Sequence, residues 1–200
     1  MTPARENPFS TDRVLRERYR FSERDWARLR DALACQLGRG ALVGPKGSGK
    51  TTLLEDLERR LTREGYCVTL LRLSAETPRL PAAVNNDFFA GLTHRDAVLL
   101  DGAEQLSLAL WLRFRWRARR AGVLVVTTHR AGRLATLHRC TTSPALLCEL
   151  VASLGQQIDF ADAAALHACH RGNIREALRE LYDRQAQKNT PALSPAESCV

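Results

Sequence analysis

The residues Gly44-x-x-x-x-Gly49-Lys50-Thr51 have the spacing of a phosphate-binding loop, within the run Gly40-Ala-Leu-Val-Gly44-Pro-Lys-Gly47-Ser48-Gly49-Lys50-Thr51-Thr52-Leu-Leu54. Each residue type has a physical reason. Glycines let the backbone turn so that successive N–H groups converge on one concavity. A helix starting there adds its positive dipole end. Lys50 supplies a mobile cation for outer phosphates, and the Thr51 hydroxyl is a hard oxygen suited to Mg²⁺. The candidate phosphate-contacting set is therefore Gly44, Pro45, Lys46, Gly47, Ser48, Gly49, Lys50, Thr51 and Thr52. The chemistry expected is binding of a nucleoside triphosphate.

Such a loop needs a strand before it and a helix after it. Arg39–Val43 reads as a short apolar strand, and Leu53, Leu54, Leu57 and Leu61 form one helical face closed by Gly65. Further strands are expected at 67–73, 97–101, 122–127 and 137–141. A loop with a short helix is expected across 74–96, and an arginine-rich helix across 111–121. Strands alternating with helices predict an α/β protein with a parallel sheet and helices on both faces. The run Gly122-Val-Leu-Val-Val-Thr127 reads as a strand buried on both sides. Ligands of such sheets sit at the carboxyl ends of the strands. Asp101 ends the third predicted strand there, a second candidate for Mg²⁺.

Upstream, Ser22 and Asp25 have near-capping-box spacing ahead of an apolar stripe at Trp26, Leu29, Leu33 and Leu37. Downstream, Ser143-Pro144 opens a run of three predicted helices, the last starting at Asn173. The expected organisation is an N-terminal strap and helix (1–38), a nucleotide-binding core (39–142), a three-helix lid (143–186) and a disordered tail (187–200).

The 200 residues carry a formal charge of +8, and only Lys46, Lys50 and Lys188 are lysines. An arginine-rich composition fits either a GC-rich coding bias or attraction to an acidic partner such as nucleic acid. No apolar run reaches bilayer-spanning length and the N-terminus has no signal-peptide pattern, so a cytoplasmic protein without membrane contact is expected. The six cysteines form no C-x-x-C pair and read as free, buried thiols. No metal ligand is assigned beyond those for Mg²⁺.

Four stretches together resemble the AAA+ ATPases, in the flavour of origin-recognition, clamp-loader and transposition-helper proteins. They are the glycine loop, Val98-Leu-Leu-Asp101-Gly-Ala-Glu104, Val125-Val-Thr127-Thr128, and Gly172-Asn173-Ile-Arg175-Glu-Ala-Leu178. The resemblance covers about 39–186. It implies a P-loop core with strand order 5-1-4-3-2, ATP and Mg²⁺ as ligands, and Asp101 as the Walker B acid. It also implies Thr128 or Thr127 as sensor 1 and Arg175 as sensor 2, reading the γ-phosphate from the lid. Arg130 and Arg133 are candidate finger arginines, and a homo-oligomer or a partner ATPase is a family-typical assembly.

One position departs from the family pattern. Glycine, Gly102, follows Asp101 where the family usually has a glutamate. Glu104, two residues on, either takes over water activation or is an acid near a helix start with no catalytic role. Three functions stay open: an ATPase or ATP-driven switch acting on a macromolecule, a nucleotide-binding module with little or no turnover, and a small-molecule kinase. The run Arg113, Arg115, Arg117, Arg119 and Arg120, interleaved with Trp111, Phe114 and Trp116, is read two ways. It is either a surface for DNA or RNA whose binding falls with salt, or a core-packing helix coated in arginine.

Overall fold

The computed structural model describes residues 7–188. They form an α/β protein with a five-stranded, all-parallel sheet. The strands are β1 (Arg39–Val43), β2 (Cys67–Arg72), β3 (Asp96–Asp101), β4 (Val123–Thr128) and β5 (Thr136–Arg139), lying side by side as β2-β3-β4-β1-β5. The helices among the described residues are α1 (Thr11–Val14), α2 (Glu23–Cys35), α3 (Lys50–Arg63), α4 (Asn86–Gly91), α5 (Leu108–Arg117), α6 (Pro144–Ser153), α7 (Phe160–Cys169) and α8 (Ile174–Lys188).

The chain separates into two compact units. One holds Arg18–Thr141, and the other joins residues up to Glu17 with those from Thr142 onward. The predicted N-terminal region 1–38 is thus shared between them. Gln187 and Lys188 complete α8. The rest of the expected tail, 189–200, lies outside the described residues.

In the sheet unit, strand alternation sends successive side chains to opposite faces. Leu42 of β1, Leu99 of β3 and Val125 of β4 pack with Trp26, Leu29 and Leu33 of α2 and with Leu53, Leu54 and Leu57 of α3. Val43, Leu100 and Val126 face the other way, onto Phe89 of α4 and Trp111 and Phe114 of α5. Every residue of β4 is buried. Burying a leucine as fully as Leu53 or Leu99 contributes about 1.5–3 kcal/mol.

The helix starts follow from their caps. The Ser22 hydroxyl accepts from the Asp25 N–H while the Asp25 carboxylate accepts from the Ser22 N–H, a complete capping box for α2. The Ser107 hydroxyl accepts from the Leu110 N–H, so α5 begins at Leu108, three residues before the expected start at Trp111. Trp111 and Phe114 are its buried side; the helix expected to reach Ala121 ends at Arg117, and Ala118 and Ala121 are buried in the tight turn that follows.

In the second unit, Phe9 packs with Leu147 and Val151 of α6, Leu166 of α7 and Ile174 and Leu178 of α8. Asn7 fixes the approach: its amide donates to the Tyr182 carbonyl at 3.0 Å and its Oδ1 accepts from the Phe9 N–H. The five described cysteines are free, but only Cys140 is buried; Cys35, Cys67 and Cys169 are exposed, because they lie at helix ends or on an outer strand. No helix among the described residues is long and apolar enough to cross a membrane.

Candidate functional site

Parallel pairing aligns the strand ends. Val43 lies opposite Thr128 on β4, and Leu100 of β3 opposite Val126. The carboxyl edge of the sheet therefore gathers three features: the loop 44–49 leaving β1, Asp101 at the end of β3, and Thr127–Thr128 at the end of β4. The loop leads directly into α3, whose N-terminal cap is Gly49 at φ +81°. A Cβ on Gly49 would also lie 3.0 Å from the Tyr19 ring, so glycine meets both the backbone and the space requirement. Lys50 is buried, and its ammonium donates to the Gly44 and Pro45 carbonyls at 2.8 and 2.7 Å. Ser48 is buried as well, its hydroxyl donating to the Pro45 carbonyl. Thr52 is half-buried in the first turn of α3, and Lys46 is exposed.

Asp101 is the hub of the site. The Thr51 hydroxyl donates to its Oδ2 at 2.8 Å, and the Thr127 hydroxyl donates to its Oδ1 at 2.5 Å. Thr127 Oγ1 in turn accepts from the Gly102 N–H. Both carboxylate oxygens are thus oriented by hydroxyls from different elements. Oxygen donors of this kind, one hydroxyl and one carboxylate, fit Mg²⁺, which takes a few protein oxygens and completes its shell with phosphate and water.

Of the two threonines considered for this place, Thr127 reaches Asp101 and Thr128 does not. The Thr128 hydroxyl donates to the Arg130 carbonyl. The reason is the two-residue period of β4, which puts Thr127 on the α3 side and Thr128 on the α5 side.

Thr128 instead lines a cavity of about 430 Å³ with Glu104, Trp111, His129, Arg130 and Arg133. Glu104 Oε1 lies 3.1 Å from His129 Nε2, while its other carboxylate oxygen is buried with no hydrogen-bond partner. A buried acceptor left unsatisfied costs free energy and marks a place where a donor is missing. Gly102, directly after Asp101, has φ +81°, and a Cβ there would lie 2.5 Å from the Leu73 carbonyl oxygen. A glutamate does not fit at 102 in this backbone, so Glu104, carried on the tight turn Ala103–Gln105, is the acid nearest in sequence after Asp101.

Tyr19 is a site residue that sequence reasoning missed; its trace is the alternation Arg18-Tyr19-Arg20-Phe21. Its ring lies against Gly49, and its hydroxyl is 3.2 Å from His138 Nε2. Burial, with the Cys140 thiol beside it, pushes the phenol well above its ordinary pKa, so it stays neutral. Burial likewise lowers His138 and raises Cys140. The segment is tied down by Asp56 of α3, which accepts from the Tyr19 N–H at 2.9 Å, Arg18 at 2.8 Å and Arg59 at 2.5 Å. Burial pushes the Asp56 carboxyl up, but the hydrogen bonds from Arg59, Arg18 and the Tyr19 N–H outweigh it and hold it low.

Asp56→Ala is therefore expected to destabilise the sheet unit by about 1–3 kcal/mol, measured by denaturant unfolding. The pH sign follows from the lowered value. The contribution is complete above the unfolded carboxyl pKa of about 3.9 and fades as pH falls through the lower folded value. A wild-type advantage already lost near about pH 6 would contradict this assignment.

The remaining candidates are placed as follows. Arg130 is exposed, and Arg133 is half-buried with its guanidinium donating to the Leu106 carbonyl at 2.7 Å. Arg175 is the second residue of α8, in the helical unit, and is exposed. Among the α5 arginines and those just after it, Arg117 stands over the Phe89 ring, Arg119 over Trp116, and Arg120 donates to the Ala90 carbonyl. No protein-family model matches the chain, and no curated protein matches its sequence.

Proposed function

We propose that this chain is an AAA+-like P-loop protein that binds ATP with Mg²⁺ and acts as an ATPase or ATP-driven switch on a macromolecular partner, in a cytoplasmic setting. The observation that carries the reading is the 2.8 Å hydrogen bond from Thr51 to Asp101. It joins the residue after the loop lysine to the acid at the end of β3, and no loop formed by chance requires that meeting.

In this reading the backbone N–H groups of the loop from Lys46 to Thr52, at the start of α3, hold the phosphates, and Lys50 balances their outer charge. Thr51 and Asp101 hold Mg²⁺, which supplies charge neutralisation on the phosphate oxygens. Thr127, through its bond to Asp101, is the polar group suited to sense the outer phosphate, in preference to Thr128. Arg175 is the corresponding candidate on the helical unit. Glu104, the next acid after Asp101, is the candidate to accept a proton from water as the water oxygen bonds to the terminal phosphorus and the bridging P–O bond breaks.

A second reading, a nucleotide-binding module with little turnover, is favoured by the Glu104–His129 pair, which occupies the other carboxylate oxygen. Steady-state phosphate release with Mg-ATP separates the two. The experiment specific to the site is Thr51→Ala. ATP affinity should then lose its response to added Mg²⁺, a response of roughly tenfold or more in the wild type if the ion bridges protein and phosphates. An unchanged Mg²⁺ response in the variant would remove Thr51 and, with it, the Thr51–Asp101 bond as the basis of the reading.

A further inference from the structure

The outward side of α5 is apolar where a solvent-facing helix should be polar. Leu108 is 67 % exposed, Leu112 52 % and Trp116 64 %, at i, i+4 and i+8, which places them in one ridge along the helix. Leu110, also 52 % exposed, lies on another side of the same helix. Arginines border the ridge. Arg115 lies one helical turn from Leu112, and the Arg119 guanidinium sits 4.2 Å from the Trp116 ring centroid. The 430 Å³ cavity runs beside the ridge, lined by Leu108, Leu112, Arg115, Arg130 and Arg133. From Gln105 to Cys148 the sequence contains no aspartate or glutamate but eight arginines, at 113, 115, 117, 119, 120, 130, 133 and 139.

Two physical points decide what suits this surface. Contiguous exposed apolar side chains mark sites of association, and tryptophan with arginine dominates the energetics of such sites. A phosphodiester backbone would use the arginines but leave the leucines wet. An amphipathic helix with leucines on one face and carboxylates along its edges satisfies both sets at once. The charge also has to be met: the acid lining the cavity, Glu104, is already set against His129, so the arginines of the ridge need carboxylates from the partner.

We infer that α5 docks an acidic amphipathic helix of a partner protein, its apolar stripe on Leu108, Leu112 and Trp116 and its carboxylates on Arg115, Arg119 and Arg130. The inference does not depend on nucleotide binding. Its test uses the full chain and a fluorescent synthetic helical peptide of about 18 residues, with leucines on one face and glutamates on the rest. Two comparison probes are a copy with alanine at every leucine and a single-stranded thymidine oligonucleotide of similar length.

Saturable anisotropy with micromolar affinity is expected for the first peptide at physiological salt. Binding should fall at least tenfold for the alanine peptide and for the double variant Leu112→Ser/Trp116→Ala. Arg115→Gln/Arg119→Gln should weaken binding and flatten its salt dependence. These side chains are exposed, so melting temperatures should not move. Three results would overturn the inference: no saturation by about 100 μM peptide, equal affinity for the alanine peptide, or an oligonucleotide that binds tighter and displaces the peptide. The last would assign the surface to nucleic acid.

Discussion

Lys50→Ala is expected to weaken ATP binding by roughly tenfold to 150-fold while the fold survives. The estimate is the loss of charge-assisted hydrogen bonds worth about 1.5–3 kcal/mol. Lys50 is well placed to have this effect. It opens α3, it is buried, and its ammonium lies 2.7–2.8 Å from two carbonyls of the loop that it closes. Burying an ammonium is costly, and an anion set beside it offsets part of that desolvation. Truncation removes the cation and leaves the backbone N–H groups. Residual weak binding is therefore expected, not its abolition. Circular dichroism and the melting transition establish that the variant is folded. A folded Lys50→Ala with wild-type ATP affinity would contradict the placement of phosphates in the loop.

Glu104→Gln is expected to leave ATP affinity near the wild-type value and to cut phosphate release by roughly 10²–10⁴, the range typical of a general base. The amide keeps the size of the side chain and a hydrogen bond to His129, but it cannot take a proton from water. Glu104 is the candidate for the role because it follows Asp101 on a short turn and His129 engages only one of its carboxylate oxygens. It is also the first acid after Gly102, where the left-handed backbone and the Leu73 carbonyl leave no room for a side chain. Equal rates in mutant and wild type would make Glu104 a structural partner of His129 and nothing more. A wild type with no measurable turnover would favour the nucleotide-binding module.

Much of the sheet unit was legible because its signals are local. Apolar runs of five or six residues between glycine and polar punctuation gave the strands, and Ser22 with Asp25 gave the start of α2. Asp101 was legible as a strand-terminal acid beside a glycine loop. Other features depend on contacts between residues far apart in sequence. Nothing near Asn7 or Phe9 announces that they pack with Tyr182 and Leu147, so residues 7–17 were grouped with α2 when they belong with α6–α8.

The choice between Thr127 and Thr128 needs to know which face α3 covers, a tertiary fact. Tyr19 went unnoticed for the same reason: its role comes from Asp56 and Gly49, both beyond β1 in the sequence. The exposed leucines of α5 were missed because the helix was expected to begin at Trp111. The Ser107 cap starts it at Leu108 and turns Leu108 and Leu112 into one ridge with Trp116.

The most direct measurement is a calorimetric titration of the purified chain with Mg-ATP. One saturable site per chain is predicted, with a dissociation constant in the range of about 1–100 μM. Affinity for AMP should be far lower, because AMP lacks the outer phosphates that the proposed function assigns to Lys50, Thr51 and Asp101. No saturable heat up to about 1 mM Mg-ATP, from a chain shown to be folded, would contradict nucleotide binding itself.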